Sequence, residues 1–255
     1  MKPMKKLFLL LLPLAALVLS FQAKAQAQSV ETIEASDTEV DVRIFKADGD
    51  SLLLGYPCDA GSNLTEEKTA QSLAEDGIEV WMPDMLSAYM LPELRSSLKE
   101  LPDDALLSVI ESAVATGKKV YLIAAGPYAR LLLRAAADWE KTHAKPLAGA
   151  VLIFPRLFKG EPNPGQQPNY VDAVGATKLP IMLLEGGHTP NRWGLAPLRE
   201  ALKKGGSNVI TKVIPEIRGH LFATGKDKNR TEEVVTSQMA GLIKVSLFYI
   251  QEYEQ

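Results

Sequence analysis

The feature that most constrains the fold is a series of short, continuous apolar runs, each followed by a segment with helical periodicity. Runs of strand length bounded by turn residues are typical of parallel strands buried on both faces. Right-handed crossovers then place the intervening helices on both faces of one sheet. The pattern therefore predicts an α/β domain. The predicted strands are 52–55, 78–82, 120–124, 148–154, 181–184 and 209–214, and the predicted helices are 65–76, 103–116, 128–142, 192–204 and 230–250.

An antiparallel hairpin is predicted ahead of this alternating region. Residues 30–33 and 40–45 alternate apolar and polar side chains with the period of a strand, and a turn cluster follows at 47–50. Neither an internal repeat nor a flexible linker divides the chain. We therefore expect one domain that spans residues 26–255.

The N-terminal segment has the order of a secretory signal peptide. Three lysines in the first six residues precede the apolar run 7–18, and Ala23-Lys24-Ala25 supplies a small-x-small cleavage site. We expect cleavage after Ala25, with Ala27 as the other choice. An uncleaved membrane anchor is the alternative, but the apolar run is shorter than the ~20 residues that span a bilayer. The sequence thus predicts a signal peptide at 1–25, and export to the periplasm or medium without a remaining membrane span.

The charge and the cysteine content exclude nucleic acid as a partner and an internal disulfide. The chain has 28 Lys and Arg against 31 Asp and Glu, so it has no basic excess for nucleic-acid binding. Loss of four lysines with the leader changes the net charge from −3 to −7. The single cysteine, Cys58, cannot form an internal disulfide, although export favours such bonds. Cys58 is therefore either a buried apolar residue or a reactive thiol.

Four segments together carry a family resemblance. They are LLLGYP at 52–57, VYLIAAGPYA at 120–129, LLEGGHTP at 183–190 and VIPEIRGH at 213–220. Their order and spacing resemble the third strand with its oxyanion loop, the nucleophile elbow, the acid loop and the histidine loop of the α/β-hydrolase fold family. The resemblance implies a three-layer sandwich with a mostly parallel sheet, an N-terminal antiparallel hairpin and no large cap domain.

The elbow lacks the residues that the resemblance would require for catalysis. The family motif is G-x-S-x-G, with a serine on a strained turn and an oxyanion donor in the next backbone N–H. In this chain Gly126 takes the place of the serine and offers no nucleophilic oxygen. Pro127 follows it and has no backbone N–H. The resemblance therefore implies a degenerate member of the family.

The neighbouring loops depart from the family pattern as well. Pro57 lies where the other oxyanion donor is usual, and Thr189 lies where an aspartate is usual, whereas His220 matches its expected place. We therefore expect a protein without serine-hydrolase activity that binds a small molecule or a protein partner. The binding residues predicted at the carboxyl ends of the strands are Tyr56, Pro57, Gly126, Pro127, Tyr128 and His188.

Two other sets of residues could still support catalysis. Cys58 and His220 together could hydrolyse esters or thioesters by Cys/His chemistry, and they are the two candidate catalytic residues. Glu185, His188 and His220 are a conceivable metal set, although no H-E-x-x-H spacing supports it and no metal or cofactor is predicted. The segment Lys159–Asn169, rich in proline and glycine, is predicted as a surface loop where relatives carry a lid.

Overall fold

The structure is a computed structural model. It describes residues 28–35, 38–55, 64–94, 96–102, 104–160, 166, 168–219, 221 and 228–252. The predicted leader, the Tyr56–Cys58 segment, most of the proline-rich loop and His220 lie outside these ranges. The predictions made for them are not tested by the geometry below.

Eight strands form one mostly parallel sheet with the order β1-β2-β4-β3-β5-β6-β7-β8. Strand β2 is antiparallel to both β1 and β4, and every other neighbouring pair is parallel. The predicted α/β architecture and its opening hairpin are confirmed. The strands are β1 Gln28–Ala35, β2 Thr38–Phe45, β3 Ser51–Gly55, β4 Ile78–Pro83, β5 Lys119–Ala125, β6 Gly149–Ile153, β7 Ile181–Gly186 and β8 Val209–Ile214.

Helices cover both faces of the sheet and make it the middle of three layers. They are α1 Leu64–Glu75, α2 Met85–Ala88, α3 Ala105–Ala115, α4 Tyr128–Thr142, α5 Ala173–Ala176, α6 Leu195–Gly205, α7 Arg230–Ser237 and α8 Met239–Glu252. Helices α1 and α8 pack on one face, and α3, α4 and α6 pack on the other.

The central strands show why continuous apolar runs were the correct signal for this sheet. All five residues of β3 are buried. Leu52 and Leu54 belong to the core under α3 and α4, whereas Leu53 belongs to the core under α1 and α8. Because successive side chains of a strand point to opposite faces, a strand between two helical layers is apolar at most of its positions.

The predicted helix 230–250 is two helices, and this prediction is corrected. The chain leaves helical geometry at Gln238, which separates α7 from α8. The Ser237 hydroxyl donates to the carbonyl of Val234 three residues earlier and so competes with the helical backbone at this point, while the Thr236 hydroxyl donates to the carbonyl of Leu221 outside the helix. The predicted start of α6 at residue 192 is also wrong, because a 3₁₀ turn at Pro190–Gly194 precedes it.

No cap domain is present in the described part of the chain between β6 and β7. It contains a bridge between Phe158 and Tyr170 and the one-turn helix α5. The backbone N–H of Lys159 donates to the carbonyl of Asn169 at 2.7 Å, so the ends of the predicted loop pair with each other. Among the described residues, no helix is long and apolar enough to cross a membrane.

Candidate functional site

The carboxyl ends of β3, β5, β6, β7 and β8 lie along one edge of the sheet. This edge is where open α/β sheets bind ligands, because loops from neighbouring strands converge there. The described part of the edge consists of the corner after β5, the turns after β6 and β7, and the loop after β8. The sequence places its elbow, acid and histidine segments at these same ends.

Gly126 forms the corner between β5 and α4. Its φ is +55°, in the left-handed region that glycine adopts at least cost. The Gly126 N–H donates to the carbonyl of Ile153 at 2.9 Å, and the N–H of Arg156 donates to the Gly126 carbonyl at 3.0 Å. These bonds fix the corner against the end of β6. A sharp strand-to-helix turn therefore lies at the predicted position.

A side chain at residue 126 would enter open space. A Cβ built on Gly126 meets no other heavy atom within 4 Å. Pro127 follows with φ −71° and ψ −21°, and it caps α4 without a backbone N–H of its own. The corner thus has room for a nucleophilic side chain, but it carries neither that side chain nor the adjacent donor.

Tyr128 begins α4 and is buried, with 5% of its surface exposed. It belongs to the core between the sheet and the helices α3 and α4. This burial agrees with a packing role for the aromatic ring. Its predicted role in ligand binding stays a prediction.

Phe154, which the sequence analysis did not single out, lies beside this corner in an unusual conformation. Its φ is +48°, which is uncommon for a residue with a bulky side chain. The Phe154 N–H donates to the carbonyl of Leu184 at 2.8 Å, which ties the end of β6 to β7. No sequence signal identifies such a position, because phenylalanine does not favour the left-handed region.

A buried carboxyl group lies at the end of β7. Only 2% of Glu185 is exposed, and its Oε1 accepts from the Thr189 hydroxyl at 2.5 Å and from the Gly186 N–H at 2.9 Å. Burial raises the pKa of Glu185, and the two hydrogen bonds partly oppose that rise. Thr189, at the expected place of the triad aspartate, therefore holds a neighbouring carboxyl rather than supplying one.

The loop after β8 packs closely on the turn after β7. A Cβ on Gly186 would lie 2.5 Å from the carbonyl oxygen of Ile217, so only glycine allows this approach. The His188 N–H donates to the same carbonyl at 2.9 Å, while the His188 side chain is exposed. A Cβ built on Gly219 would lie 3.5 Å from Thr189 Cγ2. The chain leading into His220 therefore lies against Thr189 as far as residue 219.

Glu232 anchors this loop from α7. Its side chain is fully buried, and it accepts from the Arg218 backbone N–H at 2.8 Å and from Arg218 Nη2 at 2.6 Å. It also completes a capping box with Asn229 at the start of α7. The hydrogen bond from the Arg218 side chain lowers the pKa of Glu232 to about 2, against the cost of burial. The N-x-x-E spacing could have indicated the cap, but the partner Arg218 had no sequence signal.

The structure brings some predicted site residues together and leaves others undecided. Gly126, Pro127 and Tyr128 form the corner, and His188 lies on the β7 turn of the same edge. The positions of Tyr56, Pro57, Cys58 and His220 lie outside the described ranges.

The structure does not test the conceivable metal set of Glu185, His188 and His220, because His220 lies outside the described residues. Within the described residues, no three His, Cys, Asp or Glu side chains could share a metal ion.

An apolar hollow lies under this edge, between the sheet and α1. Gly55, Ala125, Ile153 and Ala70 are among its lining residues. Its volume is about 60 Å³, whereas sites for small organic ligands have about 300–1,000 Å³. The hollow is therefore too small to be the predicted ligand pocket.

The solved structures that this chain resembles include hydrolytic enzymes. A dienelactone hydrolase from Anabaena variabilis is similar over 87% of this chain and 99% of its own, with a TM-score of 0.60 and 15% identity. An esterase from Pyrobaculum calidifontis matches 86% of this chain and 85% of its own, with a TM-score of 0.65 and 15% identity. Carboxyl esterase 2 from Tuber melanosporum matches 89% of this chain and 89% of its own, with a TM-score of 0.62 and 11% identity.

The sequence itself matches no protein-family profile and no curated protein. At such low identities the structural likeness establishes the fold and leaves the activity open. This chain has the α/β-hydrolase fold.

Proposed function

We propose that this chain is an exported α/β-hydrolase-fold protein that binds a small molecule or a protein partner without serine-hydrolase catalysis. The observation that supports it is the corner at Gly126 and Pro127, which keeps the turn of a nucleophile elbow without nucleophile or donor. Loss of a triad nucleophile costs about a million-fold in turnover in a well-studied protease. Loss of one oxyanion donor costs about a further 10²–10³.

A second candidate is an ester or thioester hydrolase that uses Cys58 and His220. The closeness of the Gly219 backbone to Thr189 favours it, because the chain before His220 thereby reaches the same edge as the corner. Cys58 follows β3, which is paired with β5 and ends beside that corner. A thiolate with an imidazole as base would not need the missing serine.

An ester assay separates the two candidates. Mature protein is offered p-nitrophenyl acetate and a short thioester, together with Cys58→Ala, His220→Ala and the control His143→Ala. His143 stacks on Trp139 at a ring distance of 3.6 Å at the end of α4, outside the candidate site. We expect hydrolysis no faster than with heat-denatured protein. Turnover that survives in His143→Ala but disappears in the other two variants would establish the second candidate.

Export is tested separately, by mass spectrometry of the protein that the cells produce. When the full chain is produced in a Gram-negative bacterium, we expect a periplasmic product that begins at Gln26, after cleavage at Ala25. A product that begins at Gln28 would indicate the alternative cleavage after Ala27. Full-length protein retained in the membrane fraction would contradict export by cleavage and support the anchor.

A further inference from the structure

A second, larger cleft runs along α4, on the helical layer next to the corner. Its volume is about 480 Å³, within the range of small-molecule sites. One wall follows α4 from Pro127 to Lys141, about 21 Å at 1.5 Å per residue. The apolar part of the lining comprises Leu98, Leu131, Ala137, Val171, Ala173 and Ala176. The cleft can therefore contact a hydrocarbon skeleton as well as charged groups.

The charge of the cleft is opposite to that of the whole chain. Among the residues of its lining that the structure describes are five cations and two anions, whereas the chain has a net charge of −3. A local excess of positive charge in a concave surface attracts anions and raises their local concentration. The cations are Lys99, Arg130, Arg134, Lys141 and Lys159, and the anions are Asp138 and Asp172.

Arg130 is held in place by backbone carbonyls instead of a carboxylate. Its Nε donates to the carbonyl of Arg156 at 2.9 Å, and its Nη2 donates to that of Phe158. Neither Arg130 nor Lys99 forms an ion pair with any residue that the structure describes. Carbonyls thus hold two of the five guanidinium N–H groups, and no described carboxylate compensates the positive charge.

The two lysines that form ion pairs in the cleft can leave their aspartate partners at small cost. Lys141 bonds Asp138 at 2.8 Å and Lys159 bonds Asp172 at 2.7 Å, and the two lysine side chains are 64% and 45% exposed. Pairs this exposed contribute little to stability, about 0–1 kcal/mol. Either lysine can therefore turn to a bound anion at small cost.

We propose that this cleft binds a small organic anion with at least two carboxylate or phosphate charges. The cations supply charge-assisted hydrogen bonds, Arg130 supplies a fixed donor, and the apolar residues contact the carbon skeleton. The site differs from the edge considered under the proposed function and does not depend on the absence of catalysis there.

Calorimetric titration with citrate and with inorganic pyrophosphate, at ionic strength balanced by NaCl, tests the proposal. We expect saturable binding of one or both, weakened about five- to tenfold in Lys99→Ala/Lys141→Ala, since two exposed charge contacts are lost. Lys203→Ala/Lys204→Ala on α6 is the matched control, because it removes two exposed lysines outside the cleft. Binding of citrate alone would identify carboxylates, and binding of pyrophosphate alone would identify phosphates.

Two outcomes would overturn the proposal. The first is no saturable binding of either probe to the unaltered protein. The second is equal weakening in both double variants, which would show a bulk charge effect instead of a site. Neither outcome affects the ester assay, whose variants lie elsewhere.

Discussion

Glu232→Ala is expected to lower the free energy of unfolding by about 2 kcal/mol at pH 7. The pKa difference between 4.5 and about 2 is worth about 3 kcal/mol at about 1.4 kcal/mol per pH unit. Because the Arg218 side chain is 44% exposed, solvent screening reduces this contribution to about 2 kcal/mol. This figure already includes the hydrogen bond that Glu232 accepts from the Asn229 N–H, and the bond from the Glu232 backbone N–H to Asn229 Oδ1 survives in alanine. Urea denaturation followed by circular dichroism measures the change.

The effect of Glu232 should depend on pH in a defined window. A folded-state pKa below the unfolded value stabilises the protein fully above pH 4.5, and this stabilisation disappears as the pH falls toward 2. The difference between the original protein and Glu232→Ala should therefore shrink in that window. Glu233→Ala is the control, since Glu233 is exposed in the same first turn. A difference that stays constant down to pH 2 would exclude the carboxylate charge as its source.

Gly126→Ser is expected to fold and yet leave ester hydrolysis at the uncatalysed rate. The new side chain meets open space, and serine in the left-handed region costs about 1–2 kcal/mol. The hydroxyl then has no adjacent donor, because Pro127 lacks a backbone N–H. The expected place of the acid is also occupied by Thr189, whose hydroxyl donates to Glu185. A restored nucleophile alone therefore does not restore the site.

Hydrolysis of p-nitrophenyl acetate by Gly126→Ser and by Gly126→Ser/Pro127→Ala is the decisive comparison. Alanine at 127 returns an N–H, and one oxyanion donor is worth about 10²–10³ in rate. Any hydrolysis should therefore appear in the double variant only. Turnover by the single variant about a thousandfold above background would refute this interpretation of the corner. Thermal melting of both variants verifies that they fold.

The sequence was sufficient to predict the strands of the sheet, because their burial on both faces determines which residues they contain. A strand between two helical layers has no polar face, so runs such as 52–55 and 181–184 are distinct from their surroundings. The position of the corner was predictable for a related reason. A buried strand that ends at Gly126-Pro127 before a helical segment has few other ways to turn.

Other features depend on partners that are remote in the chain. Glu232 is buried because Arg218 and Asn229 enclose it, whereas an isolated glutamate predicts an exposed helix surface. Phe154 adopts a positive φ because the ends of β6 and β7 are tied together around it. Sequence periodicity contains no information on such enclosure, so both residues were missed.

Strand β1 determines how this protein behaves beside copies of itself. It is an outermost strand and bonds only to β2 within the sheet, so its free edge could pair with another chain. Glu34 projects an exposed carboxylate from it, whereas Glu31 is paired with Lys46, and a second copy docked there would bring another Glu34. This repulsion disfavours aggregation by strand addition and should be weakest in acid or at high salt.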